Sequence, residues 1–474
     1  MGDAYVDMLA RKAVTAPQRG LDTVPPLPSS LSDLQRDVTA FLLQSGCGAG
    51  FLDTGLGKTR IQLAWARVVA EVTGLPVLGF VPLAVGPQHV REAEAAGIQD
   101  VRVVRCQDDI RPGVNLTNYE RMHLFSPDAL GGVFLDESSI LKSFSGVTTR
   151  KLMQFSAALN WRAAFTATPA PNDHTELGQH SQFLGVMDSN EMLSRWFVAD
   201  QKQMGRYRLK KHGVRPFWSW VASWARCASR PSDLGYSDAG YEMPDLVMHD
   251  LLVRVDTSTD AGQDRDGQLR LLRIPGTSST ALHAEKRRTA EARARAIAEP
   301  VMDLRAEPWN VWCDTDYEAD ALMAAIPDAV EVRGSMSPEM KEERLEAFSR
   351  GDIRVLVTKP RIAGFGLNWQ HVAHAAFVGC SYSYEQFYQA VRRNWRFGQK
   401  RPVNVYLAYA ETEAAPREAL RRKSGEHESM KAAMADAMQR AADHRTIKHS
   451  YAPTVRPELP VWLRGAGAGD CRHA

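Results

Sequence analysis

The chain has 474 residues, 44% of them hydrophobic and 24% charged, with a formal net charge of +2. That length supports two or three domains with proper cores, and the composition is that of a soluble globular protein. Near-neutral charge excludes a globally basic chain, so any nucleic-acid surface must be local, and no apolar stretch is long enough to span a bilayer.

Residues 1–30 end in "TVPPLPSS", which predicts an extended lead-in. "LSDLQRDVTAFLL" has the apolar spacing of an amphipathic helix, with Ser32 as its N-cap. Short apolar runs then alternate with helical patterns: "VLGFVP", "VRVVRC", "VNLTNY", "GVFLDE" and "RAAFTATP". This alternation predicts a mainly parallel sheet with helices on both faces. The pattern breaks near residue 175, and residues 195–245 are rich in tryptophan and basic side chains. A charged helix, "HAEKRRTAEARARAIAEPVMDL", leads into a second alternating series: "WNVWCD", "AVEVRG", "IRVLVT", "HAAFVG" and "VNVYLAY". The expected division is an extension over 1–30, a first α/β domain over 31–245, a second over 246–445 and a tail over 446–474. The six cysteines form no CxxC or zinc knuckle, so buried free thiols in a reducing, cytoplasmic compartment are expected.

"FLDTGLGKTR" carries the first chemistry. Gly55 and Gly57 let the backbone around Thr54 and Leu56 curl so that its N–H groups share one centre, and the following helix aims its positive end there. Lys58 adds a point charge for the β- and γ-phosphates, and Thr59 a hydroxyl for Mg²⁺. Leu52 stands where the full GxxxxGK[ST] pattern has its first glycine. Downstream, "GGVFLDESS" is an apolar strand ending in two acids: Asp136 is placed to hold Mg²⁺ through water, and Glu137 to polarise a water for attack.

With these motifs in order, the chain resembles a superfamily 2 helicase, and more closely a Swi/Snf-type translocase of the compact bacteriophage kind. "LQRDVTAF" resembles the Q-motif, which implies Gln35 against adenine. "FVPLAVGPQHVREA" resembles motif Ia, with Pro82 and Leu83 toward the DNA backbone. "TNYERM", with Asn118, resembles motif Ib. "TATPAPND" matches motif III, with Thr166 and Thr168 linking hydrolysis to domain movement. "AGFGLNWQ" resembles motif V at Gly364, Gly366 and Asn368. "QAVRRNWRFGQ" resembles motif VI, which implies catalytic roles for Gln389, Arg393 and Arg396. Arginines three apart share a helix face, and across a cleft from ATP they would stabilise charge on the transferring phosphoryl group. The resemblance implies two tandem RecA-like α/β domains with the ATP site between them, ATP and Mg²⁺ as cofactors, and DNA in preference to RNA as partner. Replication or recombination proteins are candidate further partners. A phage-encoded chain would act in host cytoplasm.

Departures are visible. Ser138 and Ser139 replace the last two residues of DEAD or DEAH, and Arg392 stands where remodellers usually carry an acid. The large insertions and histone-reading modules of remodellers are missing, so a chromatin role is not implied. In 202–227, Arg206, Arg208, Lys210 and Lys211 are candidate phosphate contacts, while Trp218, Trp220 and Trp224 are expected in a core. The basic residues of 283–298 read as a solvated face with internal ion pairs, and His371 and His374 as structural. The expected function is DNA-stimulated ATP hydrolysis driving translocation. The rivals are a strand-separating DNA or RNA helicase and an ATP-gated clamp or assembly factor.

Overall fold

A computed structural model describes residues 15–82, 85–142, 146–171, 173–200, 207–255, 279–363, 367–379 and 383–446. The first helix, α1 (Asp33–Ser45), starts where Ser32 predicts. The Ser32 hydroxyl accepts from the Gln35 N–H, and the Gln35 side chain accepts from the Ser32 N–H, a reciprocal cap. There follow β1 (Cys47–Leu52), α2 (Lys58–Thr73), β2 (Val77–Val81), α3 (Gly86–Ala96), β3 (Val101–Val103), β4 (Val114–Asn118) and β5 (Gly132–Asp136). After α4 (Val147–Ser156) and β6 (Arg162–Phe165) come α5 (Leu177–Phe183), α6 (Ser189–Trp196), a two-stranded ribbon of β7 (Phe197–Ala199) and β8 (Tyr207–Leu209), α7 (Val214–Trp224) and β9 (Ala225–Ala228). The strands other than β7 and β8 form one parallel sheet in the order β3-β4-β2-β5-β6-β1-β9.

The second unit runs through β10 (Leu246–Val253), α8 (Ser279–Arg288), α9 (Ala290–Asp303), β11 (Trp309–Trp312), α10 (Asp316–Ala325), β12 (Ala329–Val332), α11 (Pro338–Arg350) and β13 (Val355–Thr358). It continues through α12 (Pro360–Ala363), β14 (His374–Val378), α13 (Tyr384–Val391), β15 (Val403–Ala410) and α14 (Ala414–Thr446). Its parallel sheet has the order β10-β15-β14-β11-β13-β12. The two parallel sheets, each flanked by helices, make tandem RecA-like α/β units. Each sheet separates two apolar cores because alternate residues face opposite sides. Leu78 and Phe80 enter one core and Val77 and Val81 the other; in the second sheet Trp312 and Leu356 oppose Val311 and Val355.

Trp218, Trp220 and Trp224 are buried in the first unit's core, with β9 adding the seventh strand beside β1. Three expectations need correction. The charged stretch 283–298 is not one solvated face: the helix breaks at Thr289, and Arg293 turns inward to Glu318 at 2.8 Å and Glu413 at 3.3 Å, all three without solvent exposure. Lys286 is also buried, beside Asp314. Arg393 and Arg396 do not share a helix face, because α13 stops at Val391. The N–H groups of Arg393 and Asn394 bond three residues back, in turns, and Asn394 is clasped by Asn310 of β11. Finally, α14 is not confined to the second unit: Leu420 joins that unit's core, but Met430, Met434, Ala437 and Met438 pack into the first.

Cys47, Cys227 and Cys313 are buried free thiols and Cys106 is half-buried. Cys380 and Cys471 lie outside the described residues. His374 stacks on Trp309 and His371 packs beside Phe348. Among the described residues no helix is long and apolar enough to cross a membrane.

Candidate active site

The glycine loop leaves β1 at the carboxyl edge of its sheet, where parallel α/β folds present their ligand sites. Gly55 and Gly57 have φ values of +93° and +81°, a left-handed backbone that glycine adopts without strain. Neither has room for a side chain: a Cβ at Gly57 would stand 2.1 Å from Gln35 Nε2, and one at Gly55 would stand 2.6 Å from Phe397 Cβ. Gln35 therefore lies against the loop, with its amide donating to the Leu56 carbonyl at 3.4 Å and its oxygen kept in the α1 cap. Thr59 is the second residue of α2, and Lys58 Nζ donates to the carbonyls of Leu52 at 2.9 Å and Asp53 at 3.3 Å.

The acid pair follows β5. Asp136 accepts from Gln62 Nε2 at 2.7 Å, and Gln62 is held in turn by His89. Glu137 has a φ of +58°, a conformation that costs a non-glycine residue about 1–3 kcal/mol and holds only where its surroundings fix it. They do: Glu137 Oε1 accepts from Thr166 Oγ1 at 2.7 Å, Ser139 Oγ at 3.1 Å and Gln389 Nε2 at 3.2 Å. The β5–β6 register pairs Asp136 with Phe165, which sets Thr166 beside Glu137 one residue further on. Burial pushes the Glu137 carboxyl above its ordinary range; the Thr166 hydrogen bond pulls it back, the Asp136 charge raises it and Lys58 lowers it. Thr166 Oγ1 also accepts from the Thr168 N–H at 3.0 Å, and the buried Thr168 hydroxyl has no partner among the described residues.

Across the cleft, Arg393 donates to the Gln389 and Leu367 carbonyls and to Gln389 Oε1 at 3.2 Å, and Arg396 meets the same Leu367 carbonyl at 3.4 Å. Burial, reinforced by the charge of Arg396, pushes Arg393 down to about 9; Glu137 and Asp136 act the other way from the first unit. Burial also lowers Lys58 and, together with Arg392, lowers Arg396. None of Lys58, Arg393 and Arg396 has a carboxylate within ion-pair distance among the described residues. Largely buried cations bound only to neutral oxygens favour an anion between them, and these residues fit a triphosphate.

Pro82 and Asn118 stand together at the ends of β2 and β4, where Val81 pairs with Asn118, and the Asn118 side chain caps the next turn through the Arg121 N–H. Asn368 is exposed beside Leu367. Arg208 and Lys211 are exposed, whereas Lys210 caps α6 through the carbonyls of Ser194 and Arg195. Leu83, Arg206, Gly364 and Gly366 lie outside the described residues. Sequence reasoning missed four residues at this site: Asp53, Tyr388, Arg392 and Lys431. Only the unusual arginine at 392 was a signal.

The helicase conserved C-terminal domain family matches residues 308–398, from the start of β11 to just past Arg396. The matched residues lie within the second unit. A stretch of 92 residues is 35% identical to the TATA-binding protein-associated factor mot1 of Schizosaccharomyces pombe; it is 19% of this chain and only 5% of that protein. A solved structure described as the Sulfolobus solfataricus SWI2/SNF2 ATPase core in complex with dsDNA covers 90% of this chain and 98% of its own, at 15% identity and a TM-score of 0.40. The superfamily 2, Swi/Snf-type resemblance is supported by the helicase domain and the mot1 match. These matches do not bear on a bacteriophage type.

Proposed function

We propose that the chain hydrolyses ATP in the cleft between its two units and uses the cycle to move along DNA. One observation carries the reading most directly: Gln389 of the second unit donates to Glu137 of the first while also holding Arg393. The base and the charge-stabilising group are thereby tied together across the cleft.

In this reading Lys58 and the loop N–H groups of Gly55–Thr59 bind the phosphates, with Gln35 beside the loop on the adenine side. Mg²⁺, held by Thr59 and Asp136, would neutralise phosphate charge when bound. Glu137 takes the proton of the attacking water, aligned by Thr166 and Ser139. Arg393 and Arg396 offset the charge that develops on the transferring group. Thr166 and Thr168 pass the change at Glu137 along the end of β6. The nucleic-acid track is assigned to Pro82 and Asn118 at the ends of β2 and β4, to Asn368, Arg208 and Lys211, and to Leu83 and Arg206, which lie outside the described residues. Lys210, occupied at the end of α6, is given no part in it.

The test is steady-state ATPase with single-stranded DNA, duplex DNA and RNA at one fixed salt concentration, because phosphate contacts make such affinities salt-dependent. Stimulation by DNA, loss of turnover in Lys58→Ala, and nucleotide binding without turnover in Glu137→Gln are expected. Turnover retained in Glu137→Gln would remove the assigned base, and a wild-type chain with no ATPase under any condition would refute the reading.

A further inference from the structure

Asp53 opens the glycine loop and is 6% exposed, yet its carboxylate is gripped from two distant segments. Tyr388 OH lies 2.9 Å from both oxygens, Arg392 Nη2 is 2.5 Å from Oδ1, and Lys431 Nζ is 3.0 Å from Oδ2 and 2.8 Å from the Tyr388 oxygen. Tyr388 and Arg392 belong to α13 and its cap, whereas Lys431 belongs to α14. On the loop side, the Asp53 N–H is bound by the Ala228 carbonyl at 2.9 Å, Oδ1 accepts from the Thr54 N–H at 2.7 Å, and the Asp53 carbonyl accepts from Lys58 Nζ. The carboxylate is therefore a joint between the loop carrying Lys58, the helix carrying Gln389 and the C-terminal helix.

Two cations on one carboxylate exceed what neutrality needs. Arg392 alone would keep Asp53 paired, so Lys431 adds something other than charge balance. Its helix supplies the reason: α14 begins in the second unit's core at Leu420 and packs Met430, Met434, Ala437 and Met438 into the first unit's core. Lys431 sits where α14 passes between them, and it reaches the loop and α13 at once.

We propose that Lys431 is a positioning residue for hydrolysis. Docked through α14, it holds Asp53 against Tyr388 and Arg392, so that Lys58 and Gln389 are presented to one site. This rests on the ATPase reading above. Without Lys431 the loop glycines and Lys58 keep their backbone path, set by the left-handed turns at Gly55 and Gly57, but are held less firmly against α13, so its loss acts on turnover more than on KM.

The experiment compares Lys431→Met, Lys431→Arg, Asp53→Asn and the Asp53→Asn/Lys431→Met double variant in the full chain, each checked for folding by thermal melting. Lys431→Met should lower kcat about tenfold with little change in KM, the scale of one lost charge-assisted contact. Lys431→Arg should recover most of it. The double variant should turn over no more slowly than Asp53→Asn alone, because Lys431 acts through that carboxylate. A second readout needs no turnover: without nucleotide, amide exchange over residues 51–60 should quicken in Lys431→Met and return to normal in Lys431→Arg. Unchanged kcat in Lys431→Met, losses that multiply in the double variant, or exchange over 51–60 indifferent to Lys431 would each overturn the proposal. A wild-type chain that hydrolyses nothing would refute the ATPase reading, while the exchange result would still decide the joint.

Discussion

Replacing Gln389 with alanine is expected to slow turnover sharply while leaving nucleotide affinity close to wild type. Gln389 is 1% exposed, and its amide does two things at once: Nε2 donates to Glu137 at 3.2 Å, and Oε1 accepts from Arg393 at 3.2 Å. Each is a hydrogen bond to a charged group, and such bonds contribute about 1.5–3 kcal/mol. If one of them operates fully in the transition state, the loss corresponds to roughly one to two powers of ten in rate. Among the described residues no hydrogen bond joins this side chain to the glycine loop, so binding should survive. The assay is kcat and KM with saturating DNA, with nucleotide affinity measured separately in a Glu137→Gln background. The double variant with Arg393→Ala should lose less than the product of the two single losses, because Arg393 is misplaced once Gln389 is gone. An unchanged kcat, or a loss appearing only in KM, would show that the contact across the cleft plays no part in the chemistry.

A carboxylate base works only when ionised, as the role proposed for Glu137 requires, and burial with the neighbouring Asp136 charge raises the Glu137 pKa. Turnover should therefore be full above that raised pKa and fall as pH drops through it, at higher pH than an ordinary carboxylate gives. Thr166→Val removes the hydrogen bond that holds this pKa down, so the acid limb of the kcat–pH profile should move up; a limb that stays put would contradict the assignment. Trp220→Ala, at 1% exposure in the first unit's core, should cost about 3–5 kcal/mol, read as a lower denaturant midpoint at constant m. Arg293→Met leaves the buried Glu318 and Glu413 without their cation and should destabilise by about 3–5 kcal/mol, measured in the same way.

What was legible in the sequence was local. An apolar run ending in glycines and lysine, or in two acids, shows its strand and its turn within ten residues, and the strand pattern placed both sheets except for their edge strands β9 and β10. What was not legible depends on partners hundreds of residues away. Arg293 looks like its neighbours Arg288 and Arg295, and only the buried Glu318 and Glu413 distinguish it. Arginines three apart fit a helix, but the clasp between Asn394 and Asn310 favours a turn after Val391. The polar surface of α14 hides a stripe at Met430, Met434 and Met438 that fits the first unit, and nothing near it in sequence says which unit it covers. The same distance hid the Asp53 joint, whose partners lie beyond residue 380.

Glu385, Tyr388, Gln389 and Arg392 are spaced i, i+3, i+4 and i+7, so they share one face of α13 and its cap. Together they bond three features of the first unit's carboxyl edge: Glu385 bonds Lys142, which follows the acid pair; Tyr388 and Arg392 bond Asp53 of the glycine loop; and Gln389 bonds Glu137 itself. A helix this short is stiff, so none of the four contacts can change without disturbing the rest. Any event that moves Glu137 or Asp53 by an ångström acts on the whole helix, and through the turn after it on Arg393 and Arg396. In the motor reading, rigidity of this one face turns a local change at a phosphate into relative motion of two sheets, and the joint with Lys431 determines whether α14 travels with it.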